Sequence, residues 1–260
     1  MYTAPDKKIT LYLNLLIGLK KNHSLGIGLC FLFIHFIMTN IIKNYREIVS
    51  EINKFHKKFS ATSRNPKLIA VSKTFPEEVI QKIIDEGHKI FGENKVQEAA
   101  LKWKSLKNTN KEIELHLIGP LQSNKVGLAL DVFDVIQTID REKIVKKIKN
   151  QIDENFFNKN FKFFIQVNIG GETQKSGLSP SHLKDFLRWC VNDVNLPISG
   201  LMCIPPVDQD SSYFFNLLRN LCDQFNLNDA SMGMSSDYDK AIQFGATYLR
   251  VGSGIFGNRG

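Results

Sequence analysis

From Leu68 onward the chain alternates short apolar runs with stretches whose apolar residues recur at three- and four-residue spacing. Runs at 68–73, 89–93, 113–119, 133–138, 161–169, 197–204, 229–234 and 248–253 predict strands. Stretches at 76–87, 95–107, 124–130, 141–154, 180–192, 211–225 and 237–245 predict helices; Val79, Ile80, Ile83 and Ile84 show the spacing. The class is therefore α/β. Alternation also suits an open doubly wound sheet, but eight units with no compositional break are accounted for by closure, so the expectation is a single-domain (β/α)8 TIM barrel. An additional N-terminal helix from Thr39 to about Phe59 precedes the first strand and is expected to pack where a helix after the last strand normally lies.

Boundary residues sharpen this parsing. Thr74-Phe75-Pro76-Glu77 reads as a capping box with proline in the first turn, and Ser236-Asp237-Tyr238-Asp239 repeats the capping logic. Gly87 and Gly245 stand where helix ends need a left-handed residue. Barrels of this kind place their chemistry at the C-terminal ends of the strands, and the loops after strands 7 and 8 commonly hold a phosphate. Lys73, Asn94, Ser235 and Gly252 all fall at that end.

Residues 1–37 follow another pattern, with apolar stretches Leu11 to Leu19 and Leu25 to Met38 separated by Lys20-Lys21-Asn22-His23. The longer one falls short of the roughly 20 residues that span a bilayer. It carries His35 and precedes no small-residue cleavage site, so neither a signal peptide nor stable membrane association is expected. The expected division is a leader at 1–37 and the barrel domain at 38–260, with Met38 as the true start.

Composition changes the picture little. At 43% hydrophobic and 23% charged, the 260 residues suffice for a large globular core. The net charge of +8 is spread over nearly every helix, its densest run being Lys143 to Lys149, with no basic arm or recognition-helix pattern. Solvated helix faces are expected, and no nucleic-acid partner. Cys30, Cys190, Cys203 and Cys222 form no CxxC pair and no metal-ligand spacing, so no metal is expected and a reduced, cytoplasmic setting suits them.

The candidate chemistry lies at the strand ends. Lys73 closes the run Leu68-Ile69-Ala70-Val71-Ser72, and the alternation that buries Ile69 and Val71 turns it toward the barrel mouth. There, partial desolvation and a cationic neighbour such as Arg250 suit an amine for imine formation with an aldehyde. Ser235 and Ser236 lie between a strand and a helix start. Arg250, Gly252 and Ser253 offer a charge, a close-approach backbone and a hydroxyl, which together suit a phosphate. Taken singly, each glycine reads as a turn, Lys73 as a solvated cation and Arg250 as a surface ion pair; the joint placement of the phosphate-type residues on the last two strands is what points to a ligand. A molecule with both an aldehyde and a phosphate is pyridoxal 5'-phosphate (PLP).

Several segments carry a resemblance to a known family. They are Leu68 to Lys73, Phe91-Gly92-Glu93-Asn94-Lys95-Val96-Gln97-Glu98, His116 to Lys125, Gln166-Val167-Asn168-Ile169, Lys175-Ser176-Gly177, Gly200-Leu201-Met202, Ser231 to Asp237 and Leu249 to Gly257. From about residue 39 to the end the chain resembles the pyridoxal phosphate homeostasis proteins, PLP-binding barrels similar to the N-terminal domain of alanine racemase. The resemblance implies that Lys73 carries PLP as an internal aldimine. It also implies that Ser235, Arg250, Gly252 and Ser253 bind the phosphate, with Asn94 near the ring face or its phenolic oxygen. Ser253 stands where many relatives have threonine, and Ser236 where an acidic residue is common.

The implied function is to hold PLP, mask its aldehyde and contribute to intracellular vitamin B6 and amino-acid homeostasis without dedicated catalysis, apo PLP-dependent enzymes being the candidate recipients. An amino-acid racemase or lyase of low activity is the alternative. Such an enzyme needs a second acid/base opposite the imine, which alanine racemases draw from another domain of a partner subunit. A monomer is expected here. For the leader, intact mass of the protein from its native host is expected to show a chain beginning at Met38; a chain retaining Met1 would overturn that boundary.

Overall fold

The computed structural model describes residues 24–59, 61, 62 and 64–257, with side chains from Met38 onward. Eight strands form one closed, all-parallel barrel in sequence order. They are β1 (Lys67–Val71), β2 (Ile90–Glu93), β3 (Glu114–Leu117), β4 (Val135–Ile139), β5 (Lys162–Val167), β6 (Ile198–Cys203), β7 (Asp229–Ser231) and β8 (Tyr248–Val251). Closure comes from β8 against β1, in register from Lys67 with Tyr248 to Ala70 with Val251.

Around the barrel run α1 (Ser24–Lys58), α2 (Glu77–Asp85), α3 (Val96–Thr109), α4 (Val126–Val132), α5 (Glu142–Asn155), α6 (Leu183–Arg188), α7 (Ser211–Gln224), α8 (Tyr238–Gln243) and α9 (Ser253–Phe256). The period-two alternation of the strands creates two cores. Ile69, Val71, Val135, Phe164, Met202 and Tyr248 fill the barrel interior. Leu68, Ala70, Phe91, Leu115, Leu249 and Val251 face outward and pack with the helices.

The N-terminal helix takes the position expected of it. Ile41, Tyr45, Ile48 and Ile52 form one buried stripe on α1. Asn44 Nδ2 donates to the Ile255 carbonyl on α9 at 3.2 Å, and the Tyr238 hydroxyl of α8 donates to Glu51. α1 thereby backs both elements that follow the last two strands. The described helix reaches back from Thr39 to Ser24 through the apolar stretch Leu25 to Met38, which contains no proline to stop it. The stretch Leu11 to Leu19 lies outside the described residues.

Other departures are local and concentrated at the barrel mouth. β1, β7 and β8 stop two or three residues before their apolar runs do, since the chain leaves the ladder to turn: Thr74 has φ 71° and Gly233 φ 87°. Thr74 does not cap α2. Pro76 occupies the N-cap position without a side-chain bond, while the Thr74 N–H donates to Glu98 Oε1 at 2.6 Å. Asp237 sits at the N-cap of α8, but its carboxylate accepts from the upstream Met234 N–H at 2.7 Å. The run predicted as a helix at 180–192 resolves into a 3₁₀ turn, α6 and a π turn at Trp189–Asp193. Gly87 and Gly245 do take the left-handed conformation, with φ 86° and 77°.

His88, between α2 and β2, gives the fold a pH dependence. Its Nε2–H donates to the Ile90 carbonyl at 2.8 Å, which leaves Nδ1 to accept from the Tyr45 hydroxyl at 3.3 Å in a neutral ring. Burial lowers its pKa from 6.5 to about 4, against the opposing pull of the Ile90 carbonyl. As the pH falls below 6.5 the unfolded chain takes up a proton that the folded protein refuses, so stability declines between 6.5 and about 4. In His88→Gln the melting temperature is expected to fall less over this window than in the unmodified protein. Parallel melting curves would contradict this assignment.

Candidate functional site

Lys73 leaves the barrel just after β1. The Ser72 N–H extends the ladder to Gly92 O at 3.0 Å, and the Phe75 N–H closes a tight turn onto Ser72 O at 3.1 Å, so Lys73 and Thr74 form the turn itself. Lys73 is half-buried. On the neighbouring strand Asn94 follows β2, also half-buried. The backbone after β3 runs tightly beside it, for a Cβ placed on Gly119 would lie 2.2 Å from the Asn94 carbonyl oxygen. Only glycine admits that approach.

The last two strands end in converging donors. Ser235 Oγ accepts from the Gly252 N–H at 3.3 Å and from the Gly254 N–H at 3.1 Å. One oxygen thus occupies a point on which two backbone amides are aimed, the arrangement that binds anions. Gly233 makes the turn that delivers Ser235: beyond its positive φ, a Cβ there would meet Ala241 Cβ at 2.5 Å. Ser253, exposed, opens α9. Gly252 lies against β1, where an added Cβ would stand 3.4 Å from Val71 O. The amide pair and the Lys73 turn therefore leave adjacent strand ends.

Arg250 sits one inward-facing layer below Gly252, 5% exposed. One terminal nitrogen donates to Ser231 Oγ on β7 and the other to the Cys203 carbonyl on β6, both at 2.7 Å. From there a chain of hydrogen bonds crosses the barrel. The Ser231 hydroxyl donates to Gln137 Oε1 at 2.6 Å, Gln137 Nε2 to His116 Nδ1 at 2.8 Å, and His116 Nε2 to Glu114 Oε1 at 2.8 Å. Lys162 Nζ closes it on Glu114 Oε2 at 2.8 Å. A guanidinium only donates and a carboxylate only accepts, so the bonds run in one direction and His116 is neutral with its proton on Nε2. Burial pushes the His116 pKa below its ordinary value and also draws that of Arg250 down. The His116 hydrogen bond, with Lys162 behind it, holds the Glu114 carboxyl well below the usual carboxylate range.

Five of the six anticipated ligand residues thus gather at the mouth: Lys73, Asn94, Ser235, Gly252 and Ser253. Arg250 is the deeper one, with two nitrogens already engaged by the protein. The Gly254 amide and the interior chain are additions. The chain left a trace in the sequence, since Glu114 and His116 in one strand run and Gln137 in the next are polar residues among apolar ones. Across the barrel, the basic run on α5 borders a surface groove of about 660 Å³ lined by Ser123, Asn124 and Lys143 among others. Lys146 pairs there with Glu142 and Lys149 with Asp153 along the helix. Among the described residues no group of His, Cys, Asp or Glu is arranged to hold a metal ion, and no helix is long and apolar enough to cross a membrane.

Comparison with known proteins fits this architecture. The family profile of the alanine racemase N-terminal domain matches residues 44–260. The pyridoxal phosphate homeostasis protein of Aquifex aeolicus is 34% identical over 229 residues, covering 85% of this chain and 99% of the relative. That of Pasteurella multocida is 39% identical over 203 residues, covering 74% and 86%. Among solved structures, PipY of Synechococcus elongatus with PLP bound superposes with a TM-score of 0.66 at 30% identity, covering 79% of this chain and 99% of PipY. The chain belongs to the pyridoxal phosphate homeostasis proteins, within the alanine racemase N-terminal domain family.

Proposed function

We propose that this protein binds PLP at the mouth of the barrel and contributes to PLP homeostasis. The observation that carries the reading is the placement of the Lys73 turn and the Gly252–Gly254 amide pair on the adjacent ends of β1 and β8. PLP carries its aldehyde and its phosphate arm on neighbouring ring carbons, so an amine and an anion site must stand side by side to hold it. The Ser235 hydroxyl oxygen, already under two amides, marks where a phosphate oxygen fits. PipY, solved with PLP bound, and the relatives' shared name support the same reading.

When bound, PLP supplies an electrophilic carbonyl. Lys73 would be the amine that holds that carbonyl carbon. Gly252, Ser235 and Ser253 would hold the phosphate, Asn94 would serve the ring, and Arg250 would contribute a positive charge from below. Held this way, the aldehyde is withheld from other amines while the cofactor stays available to apo PLP-dependent enzymes. A dedicated racemase or lyase would need a second acid/base over the mouth. Among the described tyrosines, Tyr248 is sealed in the barrel, Tyr238 is bonded to Glu51, Tyr45 to His88, and Tyr213 is exposed on α7. We favour a carrier without dedicated catalysis, and a cytoplasmic monomer.

Purified protein mixed with PLP is expected to turn yellow, and borohydride to fix the cofactor on Lys73, read by peptide mapping. An adduct confined to Lys95 or Lys125 would overturn the assignment. Arg250→Ala is expected to weaken PLP retention more than Ser253→Ala, because only the first removes a full positive charge from beneath the phosphate site. Equilibrium dialysis compares them; equal losses would mean that Arg250 serves the barrel interior alone.

A further inference from the structure

The turn that carries Lys73 is gripped from behind by buried charge. Glu93, the last residue of β2, points out of the barrel toward α3, and its side chain is fully buried. Its Oε1 accepts from Ser72 Oγ at 2.6 Å and Trp103 Nε1 at 3.0 Å, and pairs with Lys102 Nζ at 2.8 Å. Its Oε2 is buried with no hydrogen-bond partner among the described residues. Lys102 Nζ lies 3.0 Å from Ser72 O, 3.1 Å from Phe75 O and 3.3 Å from Glu98 Oε1. Glu98 Oε1 in turn takes the Thr74 N–H at 2.6 Å.

The polar backbone groups on both sides of Lys73 are thus held by one ion cluster. Packing alone does not require it, since a buried ion pair is often no more stabilising than apolar side chains of similar volume. The cluster's acceptors also include loop carbonyls, not only its own carboxylates. Thr74 supplies the second sign: a β-branched residue at φ 71° is strained, and such strain persists only where the surroundings over-determine it.

We infer that Glu93, Lys102 and Glu98 are positioning residues for the Lys73 amine. They lock the turn in its strained form, so that the amine leaves an immobile backbone at the edge of the barrel mouth. None of them needs to touch the cofactor. The inference rests on the reading of Lys73 as the attachment site.

The test uses two ligands: PLP, and pyridoxine 5'-phosphate, which keeps the ring and phosphate but carries an alcohol that cannot form an imine. Attachment to Lys73 is followed by visible absorbance and by borohydride trapping with peptide mapping, and affinity for pyridoxine 5'-phosphate by calorimetry. In Lys102→Met combined with Glu93→Gln, which leaves only the partly exposed Glu98 carboxylate without its cation, attachment is expected to slow about tenfold or more, with affinity for the alcohol within about twofold. Glu98→Ala, at a partly exposed site, is expected to slow attachment about threefold, and adding Thr74→Gly to restore it, because glycine adopts positive φ without strain. Unchanged attachment, or equal losses for both ligands, would overturn the inference. If the double variant does not fold, Glu98→Ala and its glycine rescue decide the matter by the same criteria. If the unmodified protein itself fails to attach PLP at Lys73, the functional reading falls and this inference with it.

Discussion

The parallel ladder between β1 and β8, from Lys67 with Tyr248 to Ala70 with Val251, closes the barrel and brings residues from opposite ends of the domain into contact. Such a pairing bears the entropy of a very long loop, and burial of the two cores has to offset it. Its chemical consequence is local. It sets the Lys73 turn beside Gly252 and the Gly254 amide, which no short-range folding preference would do. The α1 helix reinforces the same seam from outside, since its buried stripe faces α8 and α9, the elements that follow β7 and β8.

Two polar systems then give the seam a defined geometry. Inside the barrel, the bonds from Arg250 through Ser231, Gln137 and His116 to Glu114 fix one proton arrangement in surroundings where an unpaired donor is costly. Outside it, Glu93, Lys102 and Glu98 hold the backbone around Lys73. One system sets a cation beneath the mouth, and the other sets an amine at its edge. Neither is needed to fill the barrel, which Ile69, Phe164, Met202 and Tyr248 do with apolar side chains.

Much of this was legible in the chain. The eight apolar runs give the strand order because parallel strands buried on both faces are nearly continuous in hydrophobic residues. Lys73, Ser235 and Gly252 stand out only together, because each alone reads as a turn residue or a solvated cation while their shared placement at strand ends points to a ligand. Less could be read where a rule had an exception. Thr74 looks like a helix cap, yet spends its backbone on a left-handed turn that sequence rules would reserve for glycine. Alternation places Arg250 on the inward face with Tyr248, but its partners on β6 and β7 are set by register, which the sequence does not show. The contact of Lys102 with Glu93 joins a helix to the outer face of a strand, and nothing in either segment's periodicity announces it.

The account turns on whether one small molecule spans the β1–β8 seam, and a crystal structure of the protein grown with PLP tests that most directly. Continuous density is expected from Lys73 Nζ into the ring, with the phosphate under the Gly252 and Gly254 amides and the Ser235 hydroxyl beside it. Density for PLP at another place on the protein, or a phosphate lying away from those two amides, would contradict it.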